Sequence, residues 1–310
     1  MSDNRPAAAT SGDLRADRRF LYAEASAAEG DHAAAAELLE QCLEIAPDWA
    51  PAWFALGVAR ERLGEWDAAV AAYRRVLAAD PQDVLGASLA LARLGAAPTP
   101  ASATPAFVAR LFDQYAPRFE AHLIDGLGYR APGLVRDAVA EVCGRTNRPM
   151  HFARALDLGC GTGFAGAAFR ACVGRFDGVD LSAGMIAQAR AKGIYDALHT
   201  GDFVDHLRTS RDPSLDLILA ADVLVYIGDL APLFTQLARV LASDGLFAFT
   251  AESHDREGYA IGSETRFAHS KKYIENTARQ VGLSVRLLNE NSTRHNKGAV
   301  VPGLIGILSA

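Results

Sequence analysis

The chain has 310 residues, enough for about two domains of roughly 150 residues each. Half of the residues are hydrophobic and 22% are charged, the composition of a globular protein with enough apolar mass to build buried cores. A formal net charge of −6 leaves no global attraction for a nucleic-acid backbone, so no nucleic-acid partner is expected. The four cysteines (Cys42, Cys143, Cys160, Cys172) form no CxxC pair, which suggests free thiols in a reducing compartment. The apolar run over 215–227 carries Asp216 and Asp222 and is too short for a bilayer, so no membrane association is expected. Residues 1–17 lack an apolar h-region and carry Asp3, Asp13 and Asp17. They read as a disordered tail on a cytoplasmic protein rather than a targeting signal.

Over 18–95 the chain repeats itself. Gly30 matches Gly64, Ala35 matches Ala69 and Pro47 matches Pro81, each pair 34 positions apart. That is the period of tetratricopeptide repeats, and Trp53, Leu56, Gly57, Ala69, Tyr73 and Pro81 resemble their pattern. Gly57 and Ala69 let paired helices approach, and each proline ends a helix. A partial third copy, VLGASLALARLG, predicts a capping helix ending near Gly95.

Residues 96–104, AAPTPASAT, read as a proline-containing linker without a core of its own. Apolar residues at Val108, Leu111, Phe112, Tyr115, Phe119 and Leu123 then recur at steps of three and four, the helical period. Pro117 should break that helix. From Ala153 onward, short apolar runs (ARALDL, RFDGVDL, DLILAAD, LFAFTA) alternate with helical stretches, which predicts a parallel α/β sheet. SVRLLNEN and VPGLIGILSA follow one another as two strands and predict an antiparallel hairpin at one edge.

The first of these strands runs into Gly159-Cys160-Gly161-Thr162-Gly163-Phe164. Glycines at such a turn bring backbone close to a ligand at a helix N-terminus. Gly161-x-Gly163-x-x-Gly166 also satisfies the dinucleotide fingerprint, a weak signal alone. Asp157, two residues before the first glycine, would repel a pyrophosphate and favour a ligand bearing ammonium and sulfonium groups. Asp180 ends the second strand, placed for two ribose hydroxyls, a feature that suits NAD equally well.

The pattern Asp157-x-Gly159-x-Gly161-x-Gly163 resembles motif I of class I S-adenosylmethionine-dependent methyltransferases, and the likeness extends over about 107–310. More narrowly, FDQYAPRFEAHLIDGLGYRAP, DLILAADVLVYIGDL and RFAHSKKYI resemble predicted bacterial methyltransferases with N-terminal tetratricopeptide repeats. The resemblance implies a methyltransferase domain over 105–310, with lid helices over 105–150 and then a Rossmann-like, seven-stranded sheet over 153–310 whose last strand is antiparallel. For the cofactor S-adenosylmethionine (S-adenosylhomocysteine as product) it implies contacts from Asp157, Gly159, Gly161, Gly163, Asp180 and Leu181. It adds an apolar contact to adenine from Met185, and Asp202 and Phe203 at the adenine. Tyr115 would close on the methionine part, Tyr129 and Arg130 would approach its carboxylate, and Ala221 would flank the site.

The loop after the fourth strand faces the transferable methyl in this family. Here it reads Ala220-Ala221-Asp222-Val223-Leu224-Val225-Tyr226-Ile227 and lacks the Asn/Asp-Pro-Pro-aromatic signature of enzymes that methylate amide or nucleobase amines. Asp222 and Tyr226 are candidate acceptor-side groups; the plainer alternative makes Asp222 a turn cap and Val223, Leu224 and Ile227 core. His269, in the long polar stretch ESHDREGYAIGSETRFAHSKKY, is the general-base candidate, with His254 as competitor. No His/Cys/Asp cluster has metal-ligand spacing, so no metal is expected. The sequence therefore predicts transfer of a methyl group to O, N or C of a small molecule or of a carrier- or protein-bound acceptor. The repeats would be a protein-interaction module or a support for the lid. A catalytically silent cofactor-binding scaffold and an NAD-dependent oxidoreductase are the rival readings.

Overall fold

The computed structural model describes residues 10–121, 130–210, 214–262, 264–292, 295–296 and 299–310. The chain divides into two compact units, Met1–Pro100 and Ala101–Ala310.

The first unit pairs helices α1 (Leu14–Ala28) with α2 (His32–Ile45) and α3 (Ala50–Arg62) with α4 (Trp66–Ala79), followed by α5 (Ala87–Arg93). The 34-residue period extends to the backbone. Glu29 and Leu63 end α1 and α3 at φ −78° and −84°, each with ψ −6°. Gly30 and Gly64 then turn the chain with positive φ. At Gly57 an added Cβ would lie 2.7 Å from the Tyr73 ring, so only glycine permits this approach of α3 to α4. Tyr73 donates to Glu61 at 2.6 Å, and Arg93 grips the same carboxylate from α5. Residues 14–17, expected in the tail, are helical. Asp13 accepts from the Arg15 N–H at the first turn, and Asp17 accepts from Ser11, a local capping network that composition alone hides. Residues 1–9 lie outside the described residues.

The second unit is a sheet built on strands β1 (Phe152–Leu158), β2 (Val173–Asp180), β3 (Ala197–Thr200), β4 (Leu215–Ala220) and β5 (Leu241–Ser253). Further along come β6 (Tyr259–Ile261), β7 (Phe267–His269), β8 (Ser284–Glu290), the short pair β9 (His295–Asn296) and β10 (Ala299–Val300), and β11 (Gly303–Ser309). The main path runs β3-β2-β1-β4-β5-β11-β8. Its first five strands are parallel, and β11 is antiparallel to both β5 and β8. The seven-stranded path with an antiparallel last strand is therefore present. The polar stretch after β5 is not a plain loop: β6 and β7 form an antiparallel pair, and β7 runs parallel to the end of β5.

Helices α8 (Ala131–Arg145), α9 (Phe164–Phe169), α10 (Ala183–Lys192), α11 (Phe203–Thr209), α12 (Ala231–Val240) and α13 (Lys271–Gln280) accompany the sheet. Two apolar clusters form the core: Phe234, Phe247, Phe249 and Leu308 in one, Phe152, Phe169, Phe176 and Ile307 in the other. α8 belongs to the second cluster through Val135, Val139 and Val142. It is a core helix, not the lid expected over 105–150, because its apolar residues fall at the helical period facing the sheet. The lid proper is α6 (Pro105–Tyr115), a 3₁₀ turn at Ala116–Arg118 where Pro117 ends the α-helix, and α7 (Phe119–Ala121). Among the described residues no helix is long and apolar enough to cross a membrane.

Candidate functional site

The strand order reverses direction between β1 and β4, and there the carboxyl ends of the strands open a crevice, the usual place for a ligand in such sheets. A cavity of about 730 Å³ occupies it. Its lining includes Tyr115, Asp157, Gly159, Gly161, Asp180, Leu181, Asp202, Phe203, Ala221, Asp222 and Tyr226.

The floor is the turn after β1. Gly159, Gly161 and Gly163 all have positive φ. A Cβ at Gly159 would lie 2.6 Å from Val223, so the turn and the loop after β4 touch with no room for a side chain. Asp180, buried at the end of β2, accepts from the Gly161 N–H at 2.9 Å and the Ser182 N–H at 2.8 Å. Burial pushes its carboxyl above the usual range. Each oxygen keeps lone pairs for a further donor, as a ribose would supply.

Asp157 is 1% exposed and receives the Tyr195 hydroxyl at 2.6 Å. Burial pushes its pKa up to about 7, the Tyr195 hydrogen bond opposing the shift. Tyr195 is a residue that the sequence reading missed; its hydroxyl occupies the space a side chain at Gly166 would need, which gives that glycine its role. Asp202 caps α11, its Oδ1 accepting from the Val204 and Asp205 N–H groups, while the residue itself lines the cavity. That dual position agrees with a carboxylate at the adenine only through Oδ2.

The lid is fastened by Asp113, also missed, whose Oδ1 accepts from the Ser182 hydroxyl at 2.6 Å and the Gly184 N–H at 3.0 Å. Gln188 adds a bond to the Ala116 carbonyl, and Lys192 pairs with Glu120. No residue of α6 is buried, so its apolar side chains Val108, Leu111, Phe112 and Tyr115 serve the cavity rather than a core.

At the other end, the loop after β4 carries Asp222 with φ +63°, an uncommon conformation for a non-glycine residue. Its N–H donates to Thr250 Oγ1 at 2.8 Å, and its Oδ1 lies 3.2 Å from Arg266. Arg266 Nε is 2.8 Å from Glu252 Oε1, and its guanidinium lies 5.6 Å from the centre of the Tyr226 ring. This half-buried network was not foreseen, although Arg266 stands three residues from His269 in the sequence. Residues 101–103, expected within the linker, form a wall of the same end. Ala101 accepts from the Gly228 and Asp229 N–H groups, Ala103 donates to the Tyr226 carbonyl, and Ser102 bridges Ile227. Unpaired backbone around 226–229 captures the passing chain, a cause invisible to composition.

Several expected site residues stand elsewhere. His269 is fully buried and does not line the cavity; Nε2 meets the Gly228 carbonyl at 3.2 Å and the ring stacks on Tyr273. Burial depresses its pKa to about 4, which favours the neutral ring near neutral pH. His254 is likewise absent from the lining. Met185 is fully buried, Gly163 packs against Ile194 and Tyr195, and Arg130 is exposed at the start of α8; none of the three lines the cavity. Tyr129 lies outside the described residues. No group of three or more His, Cys, Asp or Glu suited to a metal is gathered among the described residues.

The lining fits an adenosyl cation better than a dinucleotide. Six carboxylates (Asp157, Asp180, Asp202, Asp222, Asp229, Glu264) face the cavity, and Arg266, the only basic residue among the described lining, is already held between two carboxylates. A pyrophosphate would meet repulsion there, whereas a sulfonium and an ammonium would meet opposite charge.

Comparison with known proteins agrees. Residues 156–249 match a family model described as a methyltransferase domain, and residues 26–94 match a tetratricopeptide-repeat model. Human methyltransferase-like protein 27 is 33% identical over 114 residues, 36% of this chain and 45% of that protein. The malonyl-[acyl-carrier protein] O-methyltransferase of Erwinia billingiae is 34% identical over 102 residues, 33% of this chain and 40% of that protein. The chain thus spans less than half the length of these curated relatives. A solved S-adenosylmethionine-dependent methyltransferase from Clostridium acetobutylicum superposes at a TM-score of 0.46 with 18% identity, covering 64% of this chain and 98% of that one. Magnesium protoporphyrin IX methyltransferase from Synechocystis superposes at 0.43 with 18% identity, covering 57% and 78%. By these matches, residues 156–249 carry a methyltransferase domain and residues 26–94 tetratricopeptide repeats.

Proposed function

We propose that the protein transfers a methyl group from S-adenosylmethionine to an O, N or C nucleophile of a small molecule or of a carrier- or protein-bound acceptor. The observation that carries this reading is a cavity lined by both the Gly161–Asp180 cradle and the Asp222–Arg266 network, with the α6 side chains over it. The cofactor would be held by Asp180 at the ribose, Asp202 and Phe203 at the adenine, and Asp157 and Tyr115 toward its charged end. It supplies a methyl already activated by a positive sulfur. The chain's own work is to align the acceptor in line with that methyl and to exclude water, effects that account for much of such a barrier. Val223, beside Gly159, forms the seam between the two ends, and the half-buried rings of α6 close the roof. A protic acceptor would find Asp222 or Tyr226 within the cavity as its hydrogen-bond partner, in place of His269. That one relative is named for an acyl-carrier substrate supports a carrier-bound acceptor as one form of it, with the repeats as its docking module. The location remains cytoplasmic in this proposal.

The test incubates full-length protein with methyl-labelled S-adenosylmethionine and fractionated cell extract. Label in an acceptor supports the reading. Tight S-adenosylhomocysteine binding with no label in any fraction would make the protein a silent scaffold, and NAD binding in its place would restore the oxidoreductase.

A further inference from the structure

Tyr195 stands behind the glycine turn and is not among the residues that line the cavity. Its neighbours in the chain tie it down on both sides. Asp196 donates its N–H to the Phe176 carbonyl at 2.7 Å and accepts the Phe176 N–H at 2.7 Å. Arg170, just after α9, donates to the Ile194 carbonyl at 3.2 Å and to the Asp196 carboxylate at 2.9 Å. The Tyr195 ring meets Phe176 edge to face at 5.0 Å. A Cβ on Gly163 would lie 3.3 Å from the same ring, and one on Gly166 would lie 2.3 Å from its hydroxyl oxygen. The tyrosine therefore has one fixed seat. From it the hydroxyl donates to Asp157 Oδ2 at 2.6 Å.

Asp157 needs such a partner. It is buried, and the other titratable groups acting on it are Asp180 from β2 and the Cys160 thiol in the turn, neither of them a cation. Burial and Asp180 drive its carboxyl toward the neutral form, and the Tyr195 hydroxyl is the largest influence against them, with the Gly166 N–H adding to it. Desolvation and the Asp157 carboxylate hold the Tyr195 hydroxyl well above its usual pKa, so it stays protonated and is always the donor. An ionised carboxylate has about four lone-pair sites, so these two bonds leave room for a ligand's donors.

Resting on the cofactor placement proposed above, we infer that Tyr195 is a positioning residue for the ammonium end of S-adenosylmethionine: seated behind the glycine turn, its hydroxyl orients the Asp157 carboxylate and favours the anion that meets the ligand's positive charge. It acts through Asp157, since it does not line the cavity. The same contact explains the glycine at 166, where a side chain would push the hydroxyl off the carboxylate. Removing the hydroxyl alone leaves the turn and the ribose carboxylate Asp180 as they are. Asp157 then takes up a proton more readily and loses its attraction for a cation. The loss is confined to ligands that carry the ammonium, and to pH values at which Asp157 can hold a proton.

Binding, not turnover, tests this. Full-length wild type and Tyr195→Phe are titrated at about pH 6 and about pH 9 with S-adenosylmethionine. Both are also titrated with 5′-methylthioadenosine, the same nucleoside without the amino-acid end. Phenylalanine keeps the ring's seat against Gly163 and Phe176 and removes only the hydroxyl. At the lower pH the variant should bind S-adenosylmethionine about tenfold more weakly, the lower end of what a hydrogen bond to a charged group supplies. At the higher pH, where Asp157 is ionised in both proteins, the two affinities should agree within about twofold. The ligand's own amine titrates alike with both proteins and drops out of the ratio. Methylthioadenosine should not tell the two proteins apart at either pH. No loss at the lower pH, a loss equal at both, or one that methylthioadenosine shares overturns the inference while leaving the cofactor reading intact. Gly166→Ala, with its Cβ 2.3 Å from the hydroxyl oxygen, should reproduce the pH-dependent loss, and it carries the test if Tyr195→Phe fails to fold. Failure of the wild type to bind S-adenosylmethionine at either pH overturns the cofactor reading and this inference with it.

Discussion

The two ends of the cavity are made by different means. The end proposed for the cofactor comes from backbone: a turn whose glycines have positive φ, two strand ends that place Asp157 and Asp180, and a helix start capped by Asp202, all within one continuous stretch of chain. The end proposed for the acceptor is assembled from four separated stretches: the strap at 101–103, the lid helix α6, the loop after β4 and the hairpin of β6 and β7. An end fixed by local backbone tolerates little change and varies little in chemistry. An end built from distant side chains can be respecified one residue at a time.

The largest expected effect lies at the cofactor end. Asp180→Ala removes an acceptor for the ligand and strands the Gly161 and Ser182 N–H groups. S-adenosylmethionine affinity should fall by about 1.5–3 kcal/mol, the range for hydrogen bonds to a charged group. Isothermal titration reads it directly; unchanged affinity in a folded variant would sink the ribose role of Asp180.

Next comes the seam between the ends. Gly159→Ala forces a Cβ to 2.6 Å from Val223 at a backbone angle that suits glycine, so stability should drop by about 1–3 kcal/mol. Val223→Ala in the same chain should restore part of that loss by opening the contact. If the double variant is no more stable than the single one in thermal unfolding, backbone strain rather than the side-chain clash governs the seam.

A third expectation concerns protons. Asp157, with a pKa near 7, is partly protonated at neutral pH, and a cationic ligand favours its charged form. Binding of S-adenosylmethionine at pH 6 should release close to one proton, and affinity should rise by up to tenfold per pH unit before levelling above pH 7. Titration in two buffers of different ionisation enthalpy counts the protons. No release at pH 6 would mean that Asp157 does not sense the ligand's charge.

What was legible in the sequence follows the same division. The glycine turn, Asp157, Asp180 and the 34-residue period are short-range patterns, and each maps onto one backbone feature. The Asp222–Arg266–Glu252 network has no such signature, since its members lie on separate elements and meet only when β7 pairs with β5. Tyr195 was missed for a similar reason, its partner Asp157 standing 38 positions earlier. The preference for His269 came from the ordinary pKa of imidazole. That value assumes solvent, and burial against Gly228 and Tyr273 removes it.

His269 gives the smallest expected effect on the site and the clearest on stability. As a buried neutral group it should leave the pH dependence of methyl transfer unmoved when changed to Gln, because it does not face the cavity. Its folded pKa of about 4 lies below the ordinary 6.5. Protonation therefore favours the unfolded chain: the stability His269 contributes is complete above pH 6.5 and is lost as pH falls from there toward 4. Asp157 acts with the opposite sign. Its folded pKa of about 7 lies above 3.8, so its contribution is complete below pH 3.8 and is lost as pH rises toward 7. Over pH 4 to 6.5 the two slopes oppose each other, and the wild-type protein should show a shallow dependence from this pair. In His269→Gln the slope of Asp157 is left alone, so stability relative to wild type should improve steadily on acidification, by roughly 3 kcal/mol between pH 6.5 and 4. Urea unfolding at several pH values measures the difference. A constant offset between the two proteins across that range would show that His269 takes up its proton as readily in the folded chain as in the unfolded one, and hence that burial does not shift it.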